Sequence, residues 1–82
     1  MMETKILRIE EIYVPVKRVK TLDQAKVADL AESILEKGQT TPILIREGDG
    51  RFVLVEGLHR LEACKALGEE TIKGHIVKPR RH

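Results

Sequence analysis

Between Pro42 and Gly68 the sequence reads as two β-favouring runs joined by a turn, then a glycine, then a helix. This unit narrows the possible folds more than any other feature of the chain. Pro42-Ile43-Leu44-Ile45-Arg46 and Arg51-Phe52-Val53-Leu54-Val55 flank the turn Glu47-Gly48-Asp49-Gly50. Asp-Gly between such runs predicts an antiparallel hairpin, and the four-residue spacing also allows a longer loop. The second run passes through Glu56-Gly57 into a helix expected to start near Leu58 or His59 and to reach Leu67, with Gly68 as its cap. Leu61, Cys64 and Leu67 recur at spacings of three, which places Cys64 on a core face.

Upstream, Lys5 to Val16 is rich in β-favouring residues and closes at Pro15, so one strand or two short ones are expected. The basic connector Val16-Lys17-Arg18-Val19-Lys20 reads as a solvated edge or loop. Asp23 has N-cap chemistry for a helix over Ala25 to Glu36, which Gly38 ends. Val27, Leu30, Ala31, Ile34 and Leu35 form its apolar stripe, leaving Lys26, Asp29, Ser33 and Glu36 off it. Thr71-Ile72 and Gly74-His75-Ile76-Val77 read as a last short strand, presumed to lie at the sheet edge, before a frayed basic tail over 78–82. The histidines His75 and His82 are read as incidental. The order β, α, β, β, α, β predicts an α+β fold, a small mixed β-sheet with helices packed on it.

Composition bounds the function. At 82 residues the chain has room for one core, so a single domain over 1–82 is expected. Net charge is 15 − 13 = +2, too mild for nucleic-acid binding on electrostatics alone. Tyr13 and Phe52 are the only aromatics, which excludes base-stacking platforms. No apolar run nears the roughly 18 residues that span a bilayer, and the start MMETKILRIEE carries acids where a signal peptide carries an apolar core, so a cytoplasmic protein with no membrane partner is expected. One cysteine and three scattered histidines argue against a metal site.

The chemistry concentrates at Val55-Glu56-Gly57-Leu58-His59-Arg60. A helix amino end offers unpaired amides and the positive end of the dipole, and a glycine at the turn lets an anion approach the backbone. Arg60 adds a planar fork for phosphate oxygens and His59 a further donor. Glu56 is the one carboxylate at the turn and the candidate catalytic base. Strand-to-helix turns favour glycine in any fold, so the bare pattern also fits an ordinary helix start.

Three blocks give the chain a resemblance to the ParB N-terminal and sulfiredoxin-like superfamily. They are Leu22-Asp23-Gln24-Ala25-Lys26-Val27-Ala28-Asp29-Leu30-Ala31-Glu32-Ser33-Ile34, Gly38-Gln39-Thr40-Thr41-Pro42-Ile43, and the run from Val55 to Gly68. The resemblance implies a ParB/sulfiredoxin-like fold and a nucleotide whose phosphates are held at Gly57, His59 and Arg60, with Lys26 and Ser33 reaching in from the preceding helix. Asp29 stands where sulfiredoxins carry a hydroxyl, and a carboxylate there repels a triphosphate unless a cation bridges them. Leu58 stands where sulfiredoxins carry the catalytic cysteine, so their reductase activity is not expected. ParB proteins usually read Gly-Glu-Arg-Arg at this turn and bind CTP, with DNA recognition in a separate domain. Archaeal free-serine kinases are similar at Glu56-Gly57-Leu58-His59-Arg60 but carry a catalytic carboxylate where this chain has Lys17 and Arg18. The expected function is a ParB-like nucleotide-binding module for ATP or CTP, with or without Mg²⁺, reaching DNA only through other domains or partners. The alternatives are a small phosphotransferase or nucleotide hydrolase, and a DNA-binding or nuclease module.

Overall fold

A computed structural model describes residues 3–39, 41–48 and 50–78. Its sheet holds β1 (Glu3–Arg8), β2 (Ile12–Tyr13), β3 (Ile43–Gly48), β4 (Arg51–Glu56) and β5 (Thr71–Ile76), in the spatial order β1-β5-β3-β4-β2. Pairing is mixed: β1/β5 and β3/β4 are antiparallel, while β3/β5 and β2/β4 are parallel. The helices are α1 (Val16–Val19), α2 (Gln24–Lys37) and α3 (Leu58–Ala66). This is the expected α+β architecture of a small mixed sheet with helices on it.

Strand periodicity assigns the two sheet faces. Along β5, Ile72, Gly74 and Ile76 are buried while Thr71 and Lys73 are exposed, as a period of two requires when one face is covered. The covered face joins Ile43, Ile45, Leu54, Ile72 and Ile76 to Val27 and Ile34 of α2 and Leu58, Leu61, Ala63 and Cys64 of α3 in one core. Ile45, Leu61 and Ala63 are wholly inaccessible.

The helix ends follow their sequence signals. The Asp23 carboxylate accepts from the Ala25 N–H at 2.9 Å, so it caps α2, which extends one residue beyond the expected span at each end. Gly68, at φ +78°, closes α3: its N–H donates to the Lys65 carbonyl at 3.0 Å, and the Glu69 N–H reaches the Cys64 carbonyl at 3.0 Å. This paired arrangement needs a left-handed residue at its centre.

Several expectations are corrected. The connector expected as a solvated edge or loop forms the single turn α1, with Val16 and Val19 exposed. Glu47 and Gly48, read as part of the turn, continue β3, and Gly48 pairs with Arg51 across a two-residue connection. Asp49 lies outside the described residues, as do Thr40 and the tail beyond Lys78. Leu35 is 75% exposed because the α2 stripe is narrower than the spacing implied: Val27 and Ile34 are buried and Leu30 and Ala31 partly so. Of the two forms expected for Lys5 to Val16, two short strands are the one found: a 3₁₀ turn over Ile9–Glu11 separates β1 from β2, which pairs with β4. The strand carrying His75 is interior, between β1 and β3. No helix among the described residues is long and apolar enough to cross a membrane.

Candidate phosphate-binding site

The site is built where β4 turns into α3. Leu44 pairs with Glu56 and Ile45 with Leu54, so Val55 is an extra residue, a bulge that re-aims the strand end. Gly57 then adopts φ +110°, ψ 27°, and a Cβ on it would stand 2.7 Å from Ile43 Cγ2 and 3.2 Å from Ile43 Cα. The turn is thus pressed onto the first residue of β3, and only glycine meets both the dihedral and the space.

The first helical bond of α3 runs from the Leu61 N–H to the Gly57 carbonyl at 2.9 Å. The amides of Leu58, His59 and Arg60 precede it and have no carbonyl within the helix to donate to. The Leu58 side chain is only 7% exposed and belongs to the core, so it anchors the turn and offers nothing to a ligand.

His59 and Arg60 lead to two neighbouring places. The His59 Nε2 accepts from the Asp23 N–H at 2.9 Å, which brings the amino ends of α2 and α3 together. Lys26 lies in the first turn of α2, exposed and without an ion-pair partner among the described residues. Ser33 is exposed on the same helix, seven residues on, about 10 Å along the axis. Asp29 is exposed between them. Arg60, half-buried, lines a groove of about 440 Å³ together with Gly57, Glu56, Thr41, Pro42, Leu44 and His75. Glu56 is exposed at the end of β4, in register with Leu44, which is itself in register with His75. That row crosses three strands on the uncovered face.

Two features escaped the sequence reading. No local signal marks the Asp23 to His59 bond, which spans 36 residues. His75 joins the groove because its strand is interior, a consequence of non-local pairing. The loop entering β3 is pinned by Gln39, whose side chain accepts from the Lys73 N–H at 2.9 Å and donates to the Lys73 carbonyl at 3.2 Å, filling the ladder position beside β5.

Cys64 is 2% exposed in the core. Burial pushes its thiol up, Glu69 adds to the rise and Arg60 opposes it. A raised value means that the folded state holds the proton more tightly than the unfolded chain. This contribution to stability is full below the ordinary thiol range of about 8.5 and is lost as pH rises through the raised value. Urea denaturation at pH 7 and pH 10 should therefore show an alkaline loss of stability that is smaller in Cys64→Ala.

Comparison with known proteins places this geometry. The sequence matches the ParB N-terminal domain family over residues 1–82, and the chain belongs to that family. It is 40% identical over 72 residues to the chloroplastic/mitochondrial sulfiredoxin of Arabidopsis thaliana, covering 88% of this chain and 58% of that protein. The crystal structure of Arabidopsis thaliana sulfiredoxin superposes with a TM-score of 0.84 at 38% identity, covering 94% of this chain and 86% of the other. A probable chromosome-partitioning protein ParB of Campylobacter jejuni is 35% identical over 76 residues, covering 92% of this chain and 27% of that protein. The C-terminally truncated ParB of Caulobacter crescentus, complexed with CTP-gamma-S, superposes with a TM-score of 0.80 at 26% identity, covering 95% of this chain and 46% of the other. The chain thus spans little more than half of one curated relative and about a quarter of the other.

Proposed function

We propose that this chain is a ParB-like nucleotide-binding module whose ligand's phosphates rest on the amino end of α3. The observation that carries the reading is the set of three amides, Leu58, His59 and Arg60, presented without helical acceptors at a turn that only glycine can form. Arg60 supplies a charge-assisted pair, and Lys26, in the first turn of α2, belongs to the helix end that the Asp23–His59 bond joins to α3. Ser33 is the outermost member of the set. All of these groups can donate, which suits a phosphate chain and leaves the base to be chosen elsewhere. The CTP-gamma-S complex of the Caulobacter ParB supports a nucleotide as the ligand. We assign the module a regulatory role, with any action on DNA supplied by other domains or partners, in a cytoplasmic, single-domain unit.

A phosphotransferase or nucleotide-hydrolase reading has one observation in its favour: Glu56 and Arg60 line the same groove, so a carboxylate lies beside the phosphate end. Reduction of a sulfinic acid is not expected, because Leu58 and Cys64 are both core residues. Titration with ATP, CTP and GTP, each with and without Mg²⁺, followed by product analysis, tests the reading. Saturable binding of one triphosphate without turnover fits the regulatory module. Product formation that Glu56→Gln abolishes favours the enzyme, and no binding at millimolar concentration defeats both.

A further inference from the structure

We propose that His59 is a positioning residue: as a neutral imidazole protonated on Nδ1, it holds the amino end of α2 against that of α3 and so sets where Lys26 stands relative to a bound phosphate. This deepens the phosphate-site reading and rests on it.

The geometry begins with Asp23, whose carboxylate, carbonyl and N–H each make a hydrogen bond. Its carboxylate accepts from the Ala25 N–H at 2.9 Å and its carbonyl from the Val27 N–H at 3.1 Å. Its own N–H donates to His59 Nε2 at 2.9 Å. The first two bonds fix the residue within the first turn of α2. The third ties that turn to another element 36 residues away, so the seating of α2 at this end depends on an acceptor carried by α3.

A ring nitrogen can accept only through its lone pair, so Nε2 carries no proton here, and a neutral ring then bears its proton on Nδ1. Electrostatics gives the contact its purpose. Two helix amino ends, each with a positive partial charge and unpaired amides, repel one another. A lone pair placed between them satisfies one of those donors without an anion. Lys26 is three residues beyond Asp23 on the turn that His59 holds. A displaced Asp23 displaces its ammonium as well.

Two amide side chains separate this role from direct phosphate contact. In His59→Gln the terminal amide reaches the place of Nε2 and can still accept from Asp23. In His59→Asn the shorter amide occupies the place of Nδ1 and can still donate to an anion. The full chain is titrated with inorganic tripolyphosphate, which has a triphosphate's charge and no base. Nitrogen-15 correlation spectra of the ligand-free protein report the His59 tautomer. We expect the Nδ1–H tautomer, His59→Gln within about threefold of the parent, and His59→Asn and His59→Ala weaker by about tenfold. Lys26→Ala should cost about tenfold in the parent but less than about threefold in His59→Ala, since the two substitutions would remove one shared arrangement. An Nε2–H tautomer, His59→Asn binding better than His59→Gln, or additive effects of Lys26→Ala and His59→Ala would overturn the proposal. If the parent does not bind tripolyphosphate, the anion site itself fails, and a Nδ1–H tautomer in that case shows that the tether exists without the function proposed for it.

Discussion

Gly57→Ala is expected to cost roughly 2–5 kcal/mol of folding stability, the largest loss from a methyl group added at any of the glycines. About 1–2 kcal/mol of it comes from forcing a side chain into a left-handed backbone conformation at φ +110°. A further 1–3 kcal/mol, roughly, comes from driving a Cβ into Ile43, itself 1% exposed and unable to yield. For a chain of 82 residues, whose whole stability is on the order of 4–12 kcal/mol, that is a large fraction. Urea denaturation with linear extrapolation reads the effect directly, and Gly50→Ala is a fitting control. Gly50 also has a positive φ, +75°, but no atom lies within 4 Å of its would-be Cβ, so only the backbone penalty should appear there. Equal losses at the two glycines would show that the close approach to Ile43 has no energetic weight.

Arg60→Ala should act in the opposite sense, on binding and not on folding. Losing a charge-assisted pair to phosphate costs roughly 1.5–3 kcal/mol, on the order of tenfold to a hundredfold in affinity. Thermal stability should change little, because the guanidinium makes no ion pair among the described residues. Arg46→Ala, which removes an equal charge from an exposed position on β3, should stay within about twofold of the parent in affinity. Parallel titrations with a nucleoside triphosphate compare the two, and equal weakening would reduce the role of Arg60 to bulk charge.

The parts of the fold that were legible in the sequence are those governed by neighbouring residues. The Asp23 cap, the glycine past α3, the antiparallel pairing of β3 with β4 and the Glu56-Gly57 turn each depend on a few adjacent positions, and each appears where its chemistry put it. Leu35 was misplaced because a spacing of i+8 admits a stripe wider than the surface that α2 has to bury. The turn α1 is too short for periodicity to register. Distance along the chain hid the rest. The placement of β5 between β1 and β3, which turns His75 from an edge residue into part of the groove, depends on pairings that no local pattern encodes. So does the contact between His59 and Asp23, although both residues stood out in the sequence for other reasons.

The most direct measurement of the central claim is the backbone amide spectrum of the protein during titration with CTP, ATP and inorganic phosphate. If phosphate is held at the amino end of α3, the amides of Leu58, His59 and Arg60 shift most and saturate together, followed by those of Gln24 to Lys26 at the joined end of α2. Inorganic phosphate should move the same amides more weakly, since it brings the anion without the rest of the ligand. No saturable shift at millimolar ligand, or largest shifts on the basic turn Lys17 to Lys20 with Leu58 to Arg60 unmoved, would contradict the account.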